Sequence, residues 1–520
     1  MKTTSTLLRH SVRSGSFLLF AAAALLGLSL LPTAAASRTL SRDALRDKIR
    51  GAWAGQMIGV TYGARTEFHA QGRTFDDPIQ PAELANAIVQ DDLYVEMTFA
   101  RVLDTIGLDA TTADFGEAFK SSQYNLWHAN AAARRNLNRG LLAPLSGDPR
   151  YNLHADDIDF QIEADFIGIM CPGLPRVSNQ FCDRVGRVMN YGDGLYGGMF
   201  VCGMYAAAYF ETDPRKVVEA GLACIPARSG YGKLLKDVLA WSAAEPTDWR
   251  KVWRQVQEKW DKDDPCPEGA FRAFNIDAKL NGAYIALGLI YGGGDWERTM
   301  EIATRCGQDS DCNPANAAGV LGTIIGYERI PARYKPDLEQ LAARKFDFTD
   351  YSFNDIVKST EARALKVIER AGGKISETEV VIPSQSPKAP KLEQCNFGVP
   401  VKAVGVDDPA WRWQGDWKQK PGARVADGAG CEASLDFEGT GIGLVGTLGQ
   451  DGGRATVFVD GRQQPLPADA YIVVRTHDQD LWRLHGLKQG RHTLRLVTTG
   501  DADSRSTGKR MTIERAIIYR

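Results

Sequence analysis

The hydrophobic period changes once along this 520-residue chain, and the change divides it into a helical part and a strand part. From Ser37 to about Gly372 the apolar spacing is helical. Ser41 reads as a helix cap with Asp43 just after it, Thr112 and Asp295 open further helices, and Asp213-Pro214 marks a turn before another. Gly51, Gly55 and Gly59 recur every fourth residue, and Ala315, Ala318, Gly319, Gly322 and Gly326 make a second small-residue stripe. A glycine inside a helix costs about 1 kcal/mol relative to alanine, so both stripes imply close helix packing. Pro383, Ser384, Ser386, Pro387 and Pro390 give residues 373–393 a linker composition. Beyond them the period is two: residues 455–459 (ATVFV) run into the hairpin dipeptide Asp460-Gly461, and 492–497 and 511–519 read as strands. The expected fold is multidomain, an all-α domain over 37–372 followed by an all-β antiparallel sandwich over 394–520.

Residues 1–36 stand outside that fold. Lys2, Arg9 and Arg13 precede a short apolar run at 17–31 and the small residues Ala34-Ala35-Ala36, the pattern of a secretory signal peptide. The expectation is a secreted or periplasmic protein, monomeric, with no membrane span once the signal is removed. Lys plus Arg is 62 against 64 for Asp plus Glu, which excludes nucleic-acid binding by bulk charge. Nine cysteines show no CxxC spacing, so zinc-ribbon and thioredoxin sites are unsupported. Cys395 with Cys431 is the expected disulfide, and the other cysteines read as buried thiols.

Two acidic clusters carry the chemistry. On a helix through Asp91-Asp92-Leu93-Tyr94-Val95-Glu96, Asp92 and Glu96 fall within the apolar arc, while Tyr94, Thr98, Arg101 and Thr105 fall on the wet side. Buried carboxylates need Arg or Lys partners, raised pKa values or a metal ion. The second cluster is Asp309-Ser310-Asp311, a D-x-D pair on a loop before Asn313, a good helix cap, and Pro314. The plain readings are a buried ion-pair network for the first and solvated aspartates at a helix start for the second. Together they offer at least four hard oxygen ligands and no histidine, which favours Mg²⁺, Mn²⁺ or Ca²⁺ over zinc, and two ions over one.

The segments 51–60 (GAWAGQMIGV), Asp91-Asp92 and 307–326 (GQDSDCNPANAAGVLGTIIG), with 328–331 (ERIP), resemble the ADP-ribosylglycohydrolase family over roughly 41–370. The resemblance implies an all-α fold with two Mg²⁺ ions held by Gln90, Asp91, Asp92, Asp309 and Asp311. It implies hydrolysis of an ADP-ribosyl, ribosyl or other furanosyl bond through a metal-activated water, with Asp92 or Glu67 assisting. Gln56, Gly63 and Cys312 depart from the family pattern, and Glu67 would stand in for a glutamate lost at Gly63. Residues 154–165 are also acidic: Asp157 or Glu163 is the candidate proton donor, and a solvated helix face is the plain reading of most of this set. Asn313, Asp193, Tyr196 and Trp127 are the candidate substrate-binding residues, Asp193 and Tyr196 on a loop expected to line the cleft. The C-terminal region resembles carbohydrate-binding β-sandwich modules. Trp411, Trp413, Trp417 and Trp482 are read either as a sugar-stacking platform or as core. The expected substrate is a glycan, a nucleoside or an ADP-ribosylated molecule. The competing expectation is a non-catalytic carbohydrate-binding protein on a degenerate version of the same fold.

Overall fold

A computed structural model describes residues 37–262, 264–394 and 396–520. The signal-peptide reading of 1–36 and the Cys395–Cys431 pairing therefore lie outside the described residues. Helices from Arg42–Gly63 to Phe353–Arg370 surround one apolar core, and strands from Pro400–Gly405 to Met511–Tyr519 build a second. No described helix is long and apolar enough to cross a membrane.

The two small-residue stripes meet. The Arg42–Gly63 helix, capped by Ser41 Oγ, lies against Cys312–Ile325 with its backbone in contact. A methyl group added at Gly51, Gly55, Gly59 or Gly63 would overlap the carbonyl oxygens of Gly322, Ala318, Pro314 and Ser310 in turn. This antiparallel register carries the end of the first helix to the loop that holds Asp309 and Asp311. Asp193–Ala208 and Ala278–Gly292 are apolar nearly all round and pass through the middle of the lobe.

The 373–393 segment does not hang free. Its β-branched run forms the strand Glu379–Pro383, which pairs antiparallel with Ser37–Ser41 and with Lys374–Ile375, burying Val380 and Ile382 in the helical core. Its remainder crosses the lobe as a strap. Tyr196 Oη donates to Lys391 O (3.1 Å) and accepts from Glu393 N (2.6 Å), and Arg187 pairs with Glu393 at 2.7 Å. Tyr196→Phe removes both hydroxyl bonds, so we expect about 2 kcal/mol lower stability in urea unfolding and faster proteolysis near 391.

The described strands from Pro400–Gly405 onward form two antiparallel sheets. One runs through Gly453–Val459, Gly490–Ala502, Glu432–Gly439 and Trp411–Gln414; the other runs through Thr476–Leu484, Gly441–Leu448, Met511–Tyr519 and Ala423–Ala426. Trp411, Trp417 and Trp482 are buried, and their indole nitrogens donate to the carbonyls of Val404, Glu432 and Leu466. These three are core; only Trp413, half-buried between Trp411 and Trp417, retains an open edge. Gly441–Leu448 is buried at every position because both its faces are covered. Ile442, Leu444 and Leu448 face the sandwich core, whereas Val445 joins Ile517 and Tyr519 against Ala270 of the helical lobe. Tyr519 Oη donates to Pro265 O (2.7 Å), and Arg139 reaches Asp469 O (3.0 Å), so the sandwich is docked on the lobe along two stretches of polar contact.

Candidate metal centre and cleft

Gln90 takes the cap position of the Asp91–Thr105 helix, and its side-chain amide donates to Asn86 Oδ1 (2.7 Å). Asp92 and Glu96 are buried at 2% and 0% exposure, as the helical phase predicts. Tyr94 corrects that phase argument: it is buried too, because Tyr124 and Phe348 cover it at ring distances of 4.8 and 5.3 Å. At the other cluster, Asp311 rather than Asn313 takes the cap position of Cys312–Ile325. Asn313 is fully buried and donates to Asn281 Oδ1 (3.0 Å), bracing two helices, while its own Oδ1 has no hydrogen-bond partner.

The fold brings the two clusters together. Cys312 Sγ, 220 residues from Asp92, lies 3.4 Å from Asp92 Oδ2 and 3.7 Å from Asp311 Oδ1. Donor atoms of Asp309, Asp311 and Cys312 lie within 4.8 Å of one another. Desolvation, then the negative charge of Asp311, pushes Asp91 up to about 6, although backbone N–H groups at the helix start pull it down. Burial raises Asp92 and Asp309 further, with Asp91 and Asp311 adding to the first and Asp311 and Glu67 to the second. Among the described residues no Arg or Lys pairs with these four aspartates. Asp92 Oδ1 and Asp309 Oδ1 are buried with no hydrogen-bond partner. Hard oxygen donors with orphaned atoms and no cationic partner fit a divalent cation of the Mg²⁺ type.

Strained backbone gathers here. Phe68 (φ 53°), Gln308 (φ 54°) and His128 (φ 40°) occupy the left-handed region, at a cost on the order of 1 kcal/mol or more each. Phe68 N donates to Gln308 O (3.0 Å), and Gln308 N donates to Ala70 O (2.8 Å). The Gln308 side chain accepts from Asn275 N (3.1 Å) and donates to Ala273 O (2.7 Å). One glutamine thus ties the Glu67 loop and the 273–275 loop to the Asp309 loop. Phe68, Phe274 and His128 follow one another as an aromatic wall, with centroids 5.1 and 5.6 Å apart.

The remaining candidates divide. Glu67 is exposed on one side, and partial desolvation with the charges of Asp311 and Asp91 raises it to about 8, so it borders the cluster. Trp127 is 48% exposed and immediately precedes the His128–Asn138 helix. Asp157 belongs elsewhere: it is buried, and His154 Nδ1 lies 2.7 Å from its Oδ2. Asp193 does not lie on a loop but opens a helix and accepts from Tyr231 N (3.1 Å). Tyr196 lies in that same helix, buried beneath the strap, which removes it from the cleft for the reason given above.

The acidic stretch 154–165 corrects the solvated-face reading. It breaks into the short helices Asp159–Ile162 and Asp165–Ile169, and Asp157, Asp159, Gln161, Glu163 and Asp165 are all buried. Asp159 accepts from Ala129 N (3.2 Å) and Asn130 N (2.9 Å), capping a helix from outside it. Glu163 accepts from Asn130 Nδ2 and feels Asp91 and Asp92, so it belongs to the central cluster. The i, i+4 spacing of Asp159 and Glu163 was the available signal, but only the broken helix turns both inward.

These raised values set a pH dependence. Desolvation holds Asp159 and Asp165 near 7 and Asp91 near 6, all above the unfolded value near 4. The folded state therefore binds more protons between those limits, and the stability these groups contribute is lost as pH rises from about 4 to about 7. A cation held at Asp91 would replace the proton of that group. We expect the thermal stabilisation by Mg²⁺, measured by calorimetry against chelator-treated protein, to grow over that interval.

The ADP-ribosylglycohydrolase family profile matches residues 41–365, more than half of the chain. Among solved structures, the chain is similar to an ADP-ribosylglycohydrolase-related protein complex (16% identity, TM-score 0.40, 62% of this chain and 99% of that one). It is also similar to a family two carbohydrate esterase from Clostridium thermocellum in complex with cellohexaose (18%, TM-score 0.17, 20% of this chain and 30% of that one). A third similarity is to a Paenibacillus xanthan lyase (10%, TM-score 0.19, 28% of this chain and 15% of that one). No curated protein matches.

Proposed function

The chain belongs to the ADP-ribosylglycohydrolase family, and from that premise we propose that it is an exported, Mg²⁺-dependent glycoside hydrolase acting on a ribosyl or other furanosyl bond. One observation carries the reading. Asp92, Asp309 and Asp311 converge from distant segments with no cationic partner, and Asp92 and Asp309 each keep a buried oxygen without a hydrogen bond. Gln90 and Asp91, at the start of the Asp91–Thr105 helix, would complete the ligand set. Bound cations supply charge that orients vicinal sugar hydroxyls and lowers the pKa of a water. Glu67, the solvent-facing carboxyl bordering the cluster, would donate its proton to the leaving group, and Asp92 would assist deprotonation of the water. The Phe68–Phe274–His128 wall would stack on a planar ring of the substrate. Asp157 drops out as proton donor because its carboxylate is engaged by His154.

A degenerate, sugar-binding reading rests on Gln56, Gly63 and Cys312. The structure accounts for one of these. A side chain at 63 would run into the backbone of Ser310 and Asp311, so this helix end cannot carry a glutamate. Trp413 is the remaining candidate for sugar stacking in the sandwich. Assay of aryl furanosides, nucleosides and ADP-ribosyl arginine with Mg²⁺ and with EDTA tests the proposal. Turnover that EDTA abolishes supports hydrolysis. Sugar binding without turnover on any substrate overturns it in favour of the binding reading.

A further inference from the structure

Away from the aspartate cluster, a second set of ligating groups lies where the His128–Asn138 helix begins. His154 Nδ1 is 2.7 Å from Asp157 Oδ2, and His128 Nδ1 is 4.0 Å from the same oxygen. The three side chains present donor atoms within 4.8 Å of one another. Asp157 is 1% exposed, yet its Oδ1 has no hydrogen-bond partner, and neither has the buried His128 Nδ1. Phe274 stacks on the His128 ring and the two imidazoles lie 5.6 Å apart, which limits where either ring can turn. Two imidazole nitrogens and one carboxylate are the donor set of a transition-metal site and a poor one for Mg²⁺.

We propose that His128, His154 and Asp157 bind one divalent transition-metal ion of the Zn²⁺ class, separate from the hard-cation cluster. The ion would join the start of the His128–Asn138 helix to the 152–157 turn. Bonding to His128 would help hold its left-handed backbone, and with it the last member of the aromatic wall. A narrow cavity lined by His128, Arg135, His154, Leu448, Gln479 and Asp480 leads to the site from the junction with the sandwich. The positive groups there are engaged: Arg135 and Arg483 both pair with Asp480. Lys279 pairs with Asp277 and not with Asp157. Cys266 and Glu268 also present donor atoms within 4.8 Å of His154 and are the competing donors.

The test is Co²⁺ titration of the chelator-treated full chain in excess Mg²⁺, read by visible absorption and by metal analysis. We expect one Co²⁺ per chain, with d–d bands and no thiolate charge transfer, both in wild type and in Asp309→Asn. His128→Gln and His154→Gln should each weaken binding by about tenfold to a hundredfold. Three results overturn the assignment: no Co²⁺ retained by wild type, unchanged affinity in a folded His128→Gln protein, or a thiolate band that hands the ion to Cys266. The wild-type and Asp309→Asn spectra decide the matter even if a histidine variant misfolds.

Discussion

Asp309→Asn is expected to abolish Mg²⁺ binding at the aspartate cluster and to lower kcat/KM by about 10³-fold on any substrate the protein hydrolyses. Asp309 is 3% exposed, has one orphaned carboxylate oxygen, and sits against Asp311 and Cys312. An amide keeps the shape of the side chain but removes the charge that a cation needs. The same substitution should act oppositely on the metal-free fold. Burial and the neighbouring charge of Asp311 make an ionised Asp309 costly. At pH 8 in EDTA the variant should therefore melt above wild type, and adding Mg²⁺ should reverse the order. Calorimetric titration together with thermal melts checks both halves. Full Mg²⁺ binding by the variant would remove Asp309 from the ligand set.

Gly63→Ala is the second large effect. The added methyl would overlap Ser310 O and crowd Asp311 Cα, both backbone atoms with no rotamer to yield. Overpacking of this kind costs about 3 kcal/mol, against about 1 kcal/mol recovered from helix propensity. We expect a net loss of about 2 kcal/mol in urea unfolding. Because the strain falls between Asp309 and Asp311, Mg²⁺ affinity should fall as well. A variant with wild-type stability and wild-type Mg²⁺ affinity would show that the helix end and the loop separate at no cost.

Much of the site was legible because its elements are local. The phase of one helix buries Asp92 and Glu96, and the D-x-D loop announces itself by its spacing. Tyr94 was not legible, since its cover comes from Tyr124 and from Phe348 on a distant loop. Nor were the inward turns of Asp159 and Glu163, which depend on a helix broken after four residues and on a cap given to another helix. The strap at 385–393 looked like a tether because proline and serine report backbone preference, not the side chains that happen to lie beneath them. Tyr196 is held by those strap contacts and not by its place after a glycine turn.

By itself, then, the order of residues determined the helical and strand regions, the glycine stripe and the two aspartate pairs, because each follows from short-range periodicity and spacing. Tertiary structure alone decided that the pairs form one buried cluster without a cationic neighbour. It also set the sandwich against the lobe and brought two histidines to one aspartate. These depend on contacts between segments far apart in the chain, where packing and desolvation act and local propensity carries no information.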